Sequence, residues 1–391
     1  MKHQATIPYM TLFLRVVAAI AVAQVIIPWL RRPSNTPPTN WGAFIIGCGQ
    51  QLQKDPKGFL VQQAQRYGYS TTFGIRLFGS LVYYICSTPV DIGTMMNDEP
   101  RASFHAILMR AQFGAVVGRS NFAQDLHASV VRRWLETERA RVLPAMADVI
   151  SQTVDDWLDR YPLKSSNDIS GSMTHLVAYV MSRVSIGRIG FDDPDLIEAF
   201  IGLDTDAGIV YQVSNLLPSF LARIFSTIKV HNNHATIKTK ILPIIRQRRK
   251  LKTSSGDNKN VDDLLWFFID AIDDDTRVAE LVAAVLVGAL VSVNVAVTNG
   301  LYDIAEVPGL QADILSGAPP GEFVADRTSI SQWDKLRSAV LETLRLSACV
   351  FGPVREIMVD DFKVGSDPQL VLPKGSGVVA SQYVSYIYSY D

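Results

Sequence analysis

Glu342 and Arg345 stand three residues apart in LETLRLSACVFGPVRE, a spacing that puts a carboxylate and a guanidinium on one face of a helix. Such groups form a bidentate ion pair, and in a partly buried setting each must satisfy the other. Ser292, Asn294, Thr298 and Asn299 interrupt a long apolar run. Ser292, Asn294 and Asn299 each carry a hydrogen-bond donor of the kind that polarises a substrate carbonyl. His231 and His234 in HNNH share the i, i+3 spacing of zinc ligands, but no acid or cysteine lies near them. That segment reads as a solvated loop, and no metal site is expected. The acidic DAIDDD run at 270–275 reads as a solvated helix end. Cys48, Cys86 and Cys349 are scattered, with no CxxC pair, and read as free thiols on the cytosolic side. There is no G-x-S-x-G elbow, P-loop or G-x-G-x-x-G, so hydrolase, phosphotransfer and nicotinamide chemistry have no support.

The elements that must position these groups follow from composition and periodicity. With 37 basic and 38 acidic residues in 391, there is no electrostatic footprint for nucleic acid. Hydrophobic content of 48% against 19% charged directs attention to membrane segments. Tyr9–Leu30 is long enough to cross a bilayer as a helix, interrupted only by Arg15 and Gln24. Arg31 and Arg32 follow it and put the downstream side in the cytosol, and the prolines after them form a stiff spacer. The expectation is an anchor over 1–32 and one body over 33–391. KDPKGFLVQQAQRYG predicts an amphipathic helix through Phe59, Leu60 and Ala64, and YSTTFGIRLFGSLVYYICST predicts two strands turning near Gly79. From Pro89 to Ile314 the pattern is almost wholly helical, with breaks at DRYPLKSSNDIS, FDDPD, LLPSF and TSSGDNKN. Val278–Pro308 reads as a central helix, apolar on most faces because it runs through the middle of a helical body. The last segment returns to strand character. The fold class is mainly α with a small β-sheet (α+β).

The order of these pieces resembles the cytochrome P-450 family, the haem-thiolate monooxygenases, over essentially the whole chain, and most closely its fungal, membrane-anchored members. The matching features are the anchor with its proline hinge, KDPKGFL…RYG, FGIRLFGSLVYYI, VMSRVSIGRIG, NVDDLLWFFIDAID, LYDIAEVPGLQADI, and Glu342-x-x-Arg345 followed by GPVRE and LPKGSGV. The resemblance implies that Glu342 and Arg345 form a folding lock on the proximal side of a haem. It matches Arg355 to an arginine that contacts a haem propionate, and places Phe104, His105 and Phe113 in a loop over the substrate. It also implies a glycine-rich F-x-x-G-x-x-x-C-x-G loop carrying the thiolate ligand, and none of the three cysteines sits in one. The family's acid-alcohol pair falls on Val291 and Ser292, with valine in the acid's place.

These departures lead to the expectation of a cytochrome P-450-like fold truncated before the cysteine loop, with an N-terminal transmembrane helix and a repurposed pocket. The function expected is a cofactor-free cyclase or isomerase, a Diels–Alder type of pericyclase included, acting on a hydrophobic terpenoid or polyketide intermediate of fungal secondary metabolism. Holding one molecule in a reactive fold supplies much of such a rate. Ser292, Asn294 and Asn299 are the candidate donors, with Phe104, His105, Phe113 and Val291 lining the substrate pocket. In the absence of the thiolate, a salt bridge at the core edge is the preferred reading for Arg355. No cofactor is expected, and haem enters only if the reading frame continues beyond Asp391. The alternatives are a monooxygenase of this family whose frame continues, and a non-catalytic membrane scaffold for other oxygenases of the pathway. The expected setting is the endoplasmic reticulum membrane, single-pass, body facing the cytosol, with a hydrophobic small molecule as partner and no nucleic acid.

Overall fold

The computed structural model describes residues 36–43, 47–68, 71–77, 80–85, 89–98, 100–123, 126–137, 139–160, 169–187, 193–215, 217–254, 264–318, 332–346, 354–364 and 370–380, together with residue 19. The expected anchor at Tyr9–Leu30, Cys86, Cys349 and the tyrosine-rich end lie outside the described residues. In chain order the elements are β1 (Thr39–Asn40), α1 (Gly49–Lys54), α2 (Pro56–Tyr67), β2 (Phe73–Leu77), β3 (Ser80–Ile85), α3 (Pro89–Asn97), β4 (Ala102–Ser103), α4 (Phe104–Arg110), α5 (Phe113–Val117) and α6 (Arg119–Ala123). Then follow α7 (Leu126–Thr137), α8 (Arg139–Arg160), α9 (Ile169–Ile186), α10 (Pro194–Ser214), α11 (Ser219–Ser254), α12 (Leu264–Ala271), α13 (Asp275–Glu306), α14 (Leu310–Ser316) and α15 (Asp334–Leu346). β5 (Val354–Ile357), β6 (Phe362–Val364), β7 (Leu370–Leu372) and β8 (Gly377–Ala380) close the described chain. It falls into two compact units, one of Met1–Gln112, Ile209–Ser226 and Val350–Asp391, the other of Phe113–Gly208 and Thr227–Cys349.

The first unit is built on a six-stranded sheet in the order β1-β2-β3-β8-β5-β4, with a separate β6-β7 pair. β2 and β3 form the expected antiparallel pair, with Ile75 opposite Val82, and β8 lies parallel to β3. Because side chains alternate across a strand, Val82 and Tyr84 pack with Phe73, Ile75 and Val379 on one face, while Tyr83 packs with Val378 and Ala380 on the other. Both faces are covered, which explains the apolar run SLVYYI. The first face takes Phe59, Leu60 and Ala64 of α2. That helix starts where the Asp55 side chain accepts from the Gly58 amide at 2.9 Å with Pro56 in its first turn, and stops at Gly68, whose φ of 96° favours glycine.

The second unit is helical, with α13 as its spine. Asp274 caps this helix by accepting from the Thr276 and Arg277 amides, so the acidic run is a helix start and not merely a solvated end. Asp275 and Asp270 pair with Arg249 and Lys252 of α11, both at 2.6 Å. Among the described helices α13 is long and apolar enough to span a bilayer. Its N-terminal half, from Val278 to Leu290, is instead largely buried, as a core helix requires. Burial does not extend along its whole length: Val291, Val293, Val297, Leu301 and Tyr302 are all exposed. HNNH is likewise not a loop. It lies inside α11, where His234 is half-buried and its Nε2 lies 3.1 Å from the Ala115 carbonyl. Burial and the neighbouring Lys238 hold that imidazole below its ordinary pKa, against the pull of Glu280.

Candidate functional site

In the second unit the candidate site is the C-terminal half of α13. The Ser292 hydroxyl donates to the Gly288 carbonyl one turn back, at 2.8 Å, so its proton is committed to its own helix. Asn294 donates from Nδ2 to Thr174 Oγ1 of α9 at 2.9 Å, and its Oδ1 accepts from Thr298 at 3.1 Å. That chain of three groups ties α13 to α9. Asn299 is half-buried and has no hydrogen bond to a described residue. Val291 is 41% exposed and Leu301 49% exposed, so the helix presents an uncovered apolar face here. Of the α13 acids, Asp275, Glu280, Asp303 and Glu306, none stands within a turn of Ser292.

α15 packs beside this half of α13 and leaves an apolar groove between them, lined by Ala296, Gly300 and Ile304 on one side and Leu336, Val340 and Leu344 on the other. Thr343 donates to Asp303 Oδ2 at 2.7 Å and fixes the two helices together. The Glu342–Arg345 pair forms as its spacing predicts, with Arg345 Nε donating to Glu342 Oε2 at 2.7 Å and Nη2 to Oε1. The Arg345 hydrogen bond holds the Glu342 carboxyl below its ordinary pKa. The pair is less buried than expected, with the side chains of Arg345 24% and Glu342 53% exposed.

The remaining candidates divide between the units. In the first, Phe104 and His105 are exposed on α4, and the Arg355 guanidinium lies 5.3 Å from the Phe104 ring centre while Nη1 donates to the Val354 carbonyl. Arg110 of the same helix stands 3.6 Å from Glu356; burial pushes that carboxyl up and Arg110 pulls it back down. Phe113, in the second unit, is half-buried and packs edge-on against the buried Phe122 at 6.2 Å. Sequence reasoning missed Thr174, which no local pattern marks, and Asp204 of α10. LDTDAG, with two acids at i and i+2 pointing to different sides of one helix, was the signal for the latter.

No family model matches this chain, and no curated protein matches it. Among solved structures it is similar to the retinoic acid-bound cyanobacterial CYP120A1, with a TM-score of 0.62 and 15% identity, over 90% of this chain and 77% of that one. The chain therefore has a cytochrome P450-like fold: mostly helical, with a small mixed sheet. This finding corrects the expectation that no cofactor is involved, because it points to a fold built around haem. Within the second unit, the uncovered face of α13 from Val291 to Leu301 suits the apolar plane of the macrocycle; within the first, taken by itself, the Arg355 guanidinium has the chemistry of a propionate partner. Cys48 does not suit the iron. It is buried, its thiol is pushed up by burial, and its Sγ lies 3.5 Å from the Asn40 carbonyl, so it stays a neutral thiol. Comparison and geometry together establish a cytochrome P450-like fold whose central helix turns an uncovered apolar face outward.

Proposed function

We propose that this chain is a haem-dependent oxygenase of the cytochrome P450 type, acting on a hydrophobic substrate. The single observation that carries the reading is the fold likeness over 90% of the chain. The uncovered apolar half of α13 supports it, since in a water-soluble body such a face calls for an apolar occupant. Haem, when bound, supplies reductive activation of dioxygen and delivery of one oxygen atom to the substrate.

The chain's own residues set the conditions for that chemistry. Val291, Val297 and Leu301 offer an apolar surface that excludes water and takes apolar groups by area rather than by hydrogen bonding. Arg355 offers a guanidinium to an anionic edge. With valine at 291, no carboxylate of α13 itself stands within a turn of Ser292, and the Ser292 hydroxyl donates to the Gly288 carbonyl. Asn299 has the uncommitted amide on this helix and is the group that would orient a polar substituent of the substrate.

The finer reading is a fungal, membrane-anchored enzyme of secondary metabolism, held at the endoplasmic reticulum by Tyr9–Leu30 with its body in the cytosol. The test is turnover by microsomes carrying this protein, a reductase and dioxygen, offered apolar terpenoid and polyketide intermediates. A product heavier by one oxygen atom is expected, and it should vanish without the reductase. A product isomeric with its substrate and formed anaerobically would overturn the reading.

A further inference from the structure

α4 is seven residues long, too short to stay helical in water by itself, so the surface beneath it must hold it. One side chain of the helix is buried, Ile107 at 6%, while Phe104, His105 and Met109 are exposed. A glycine makes the seat for Ile107. Gly377 of β8 is registered between Val82 of β3 and Glu356 of β5, and Ile107 Cδ1 lies 3.6 Å from where a Cβ on that glycine would stand. The cross-strand row of side chains is thus interrupted where α4 rests on it.

Two further holds flank that anchor. At the first residue of the helix, the Phe104 ring lies 5.3 Å from the Arg355 guanidinium of β5. At the last, Arg110 donates from Nη1 to the Gly375 carbonyl, two residues before β8. Its Nε stands 3.6 Å from Glu356 Oε2, close enough for charge attraction but beyond hydrogen-bond reach. Just past the helix the backbone is strained. Gln112 has a φ of 57°, the one non-glycine residue at positive φ among the described residues, and it is the point where this stretch of the first unit ends. A left-handed glutamine favours any state in which the chain there can relax. Arg110 and Gln112 therefore act in opposite senses on the same short helix.

We propose that α4 is a latched strap, which opens as a unit about Gln112 and is held shut by Arg110. Opening lifts Ile107 from its seat on Gly377, parts Phe104 from Arg355 and brings Glu356 into water, so the position of the strap sets how the charges of β5 are presented. The inference concerns the first unit alone and stands whether or not the chain binds haem.

The test is hydrogen–deuterium exchange, read by mass spectrometry on the purified full-length chain in detergent at pH 7.5, over overlapping peptides from 104–112, β3 and β8. Opening as a unit predicts one shared rate for the α4 amides, roughly a hundredfold or more above those of the two strands. Arg110→Ala should speed exchange in α4 roughly tenfold and leave β3 and β8 unchanged, and Arg110→Lys, which keeps the charge and a donor, should restore most of the difference. Gln112→Gly relieves the strain of the shut state and should slow α4 roughly threefold, opposite to the usual loosening by glycine. The proposal is overturned by α4 exchanging no faster than the strands, or by rates graded from one end as in fraying. An Arg110→Ala effect that is absent or shared by the strands would overturn it as well, as would a Gln112→Gly variant that exchanges faster.

Discussion

Replacing Asp204 by asparagine should stabilise the protein at neutral pH, against the general tendency of buried substitutions to destabilise. The carboxyl titrates near 6 in the folded chain, against an ordinary value of 3.8, and the cause is burial. Between those values the folded protein keeps a proton that the unfolded chain gives up, so stability falls as pH rises through the window and the penalty is complete above 6. A shift of about two units corresponds to at most about 3 kcal/mol, and partial exposure reduces this to roughly 1–2 kcal/mol. Asparagine keeps the shape without the charge. Urea melts of the two proteins at pH 8, 7, 6, 5 and 4 check this, because taking their difference cancels every other titrating group. The variant should be the more stable by about 1–2 kcal/mol at pH 8, with the gap closing below pH 6 and gone near pH 4. A variant equal to the parent at every pH, or weaker at pH 8, would show that Asp204 has a protein partner and refute the reasoning.

Other substitutions test the geometry of the helical unit. Asn294→Ala removes the link to Thr174, which keeps its bond to the Ser170 carbonyl, and leaves the buried Thr298 hydroxyl without its acceptor, so it should cost about 1–3 kcal/mol in a urea melt. Ser292→Ala loses only a bond within one turn and should stay within about 0.5 kcal/mol of the parent, with turnover little changed. Glu342→Ala should cost no more than about 1 kcal/mol, because over half of that carboxylate's side chain is exposed; a loss of several kcal/mol would mean the pair is deeply buried after all. Gly118→Ala should be among the most damaging small changes, losing about 2 kcal/mol or more, since Gly118 has a φ of 86° and an added Cβ would lie 2.2 Å from the Glu280 carboxylate.

Much of the fold was legible because its signals are local. The Asp55–Pro56 start of α2, the alternation of β2 and β3, and the long apolar run of α13 each follow from a period or a cap. What local pattern could not supply was the environment of each polar group. Ser292 and Asn294 looked alike as donors on an apolar helix, yet one bonds back to its own turn and the other reaches α9. Glu342 and Arg345 met as their spacing required, but spacing says nothing of solvent, and the lock is half-exposed. HNNH looked like a loop because four polar residues in a row resemble one; within α11 they are split among different sides of a long helix, with His234 held against the Ala115 carbonyl. The cofactor expectation failed for a different reason. It weighed a missing ligand motif above the arrangement of the helices, and that arrangement is what the structural likeness reports.

The measurement that bears most directly on the central claim is the haem content of the full-length chain, expressed with a haem precursor and purified in detergent. The oxygenase reading proposed above predicts roughly one tightly held haem per chain. Val297→Asp, which puts a charge on the uncovered face of α13, and Arg355→Ala, which removes the guanidinium, should each lower that content without unfolding the protein as judged by circular dichroism. A folded, unaltered chain that takes up no haem at saturating supply, or variants that hold haem as well as the parent, would contradict the account.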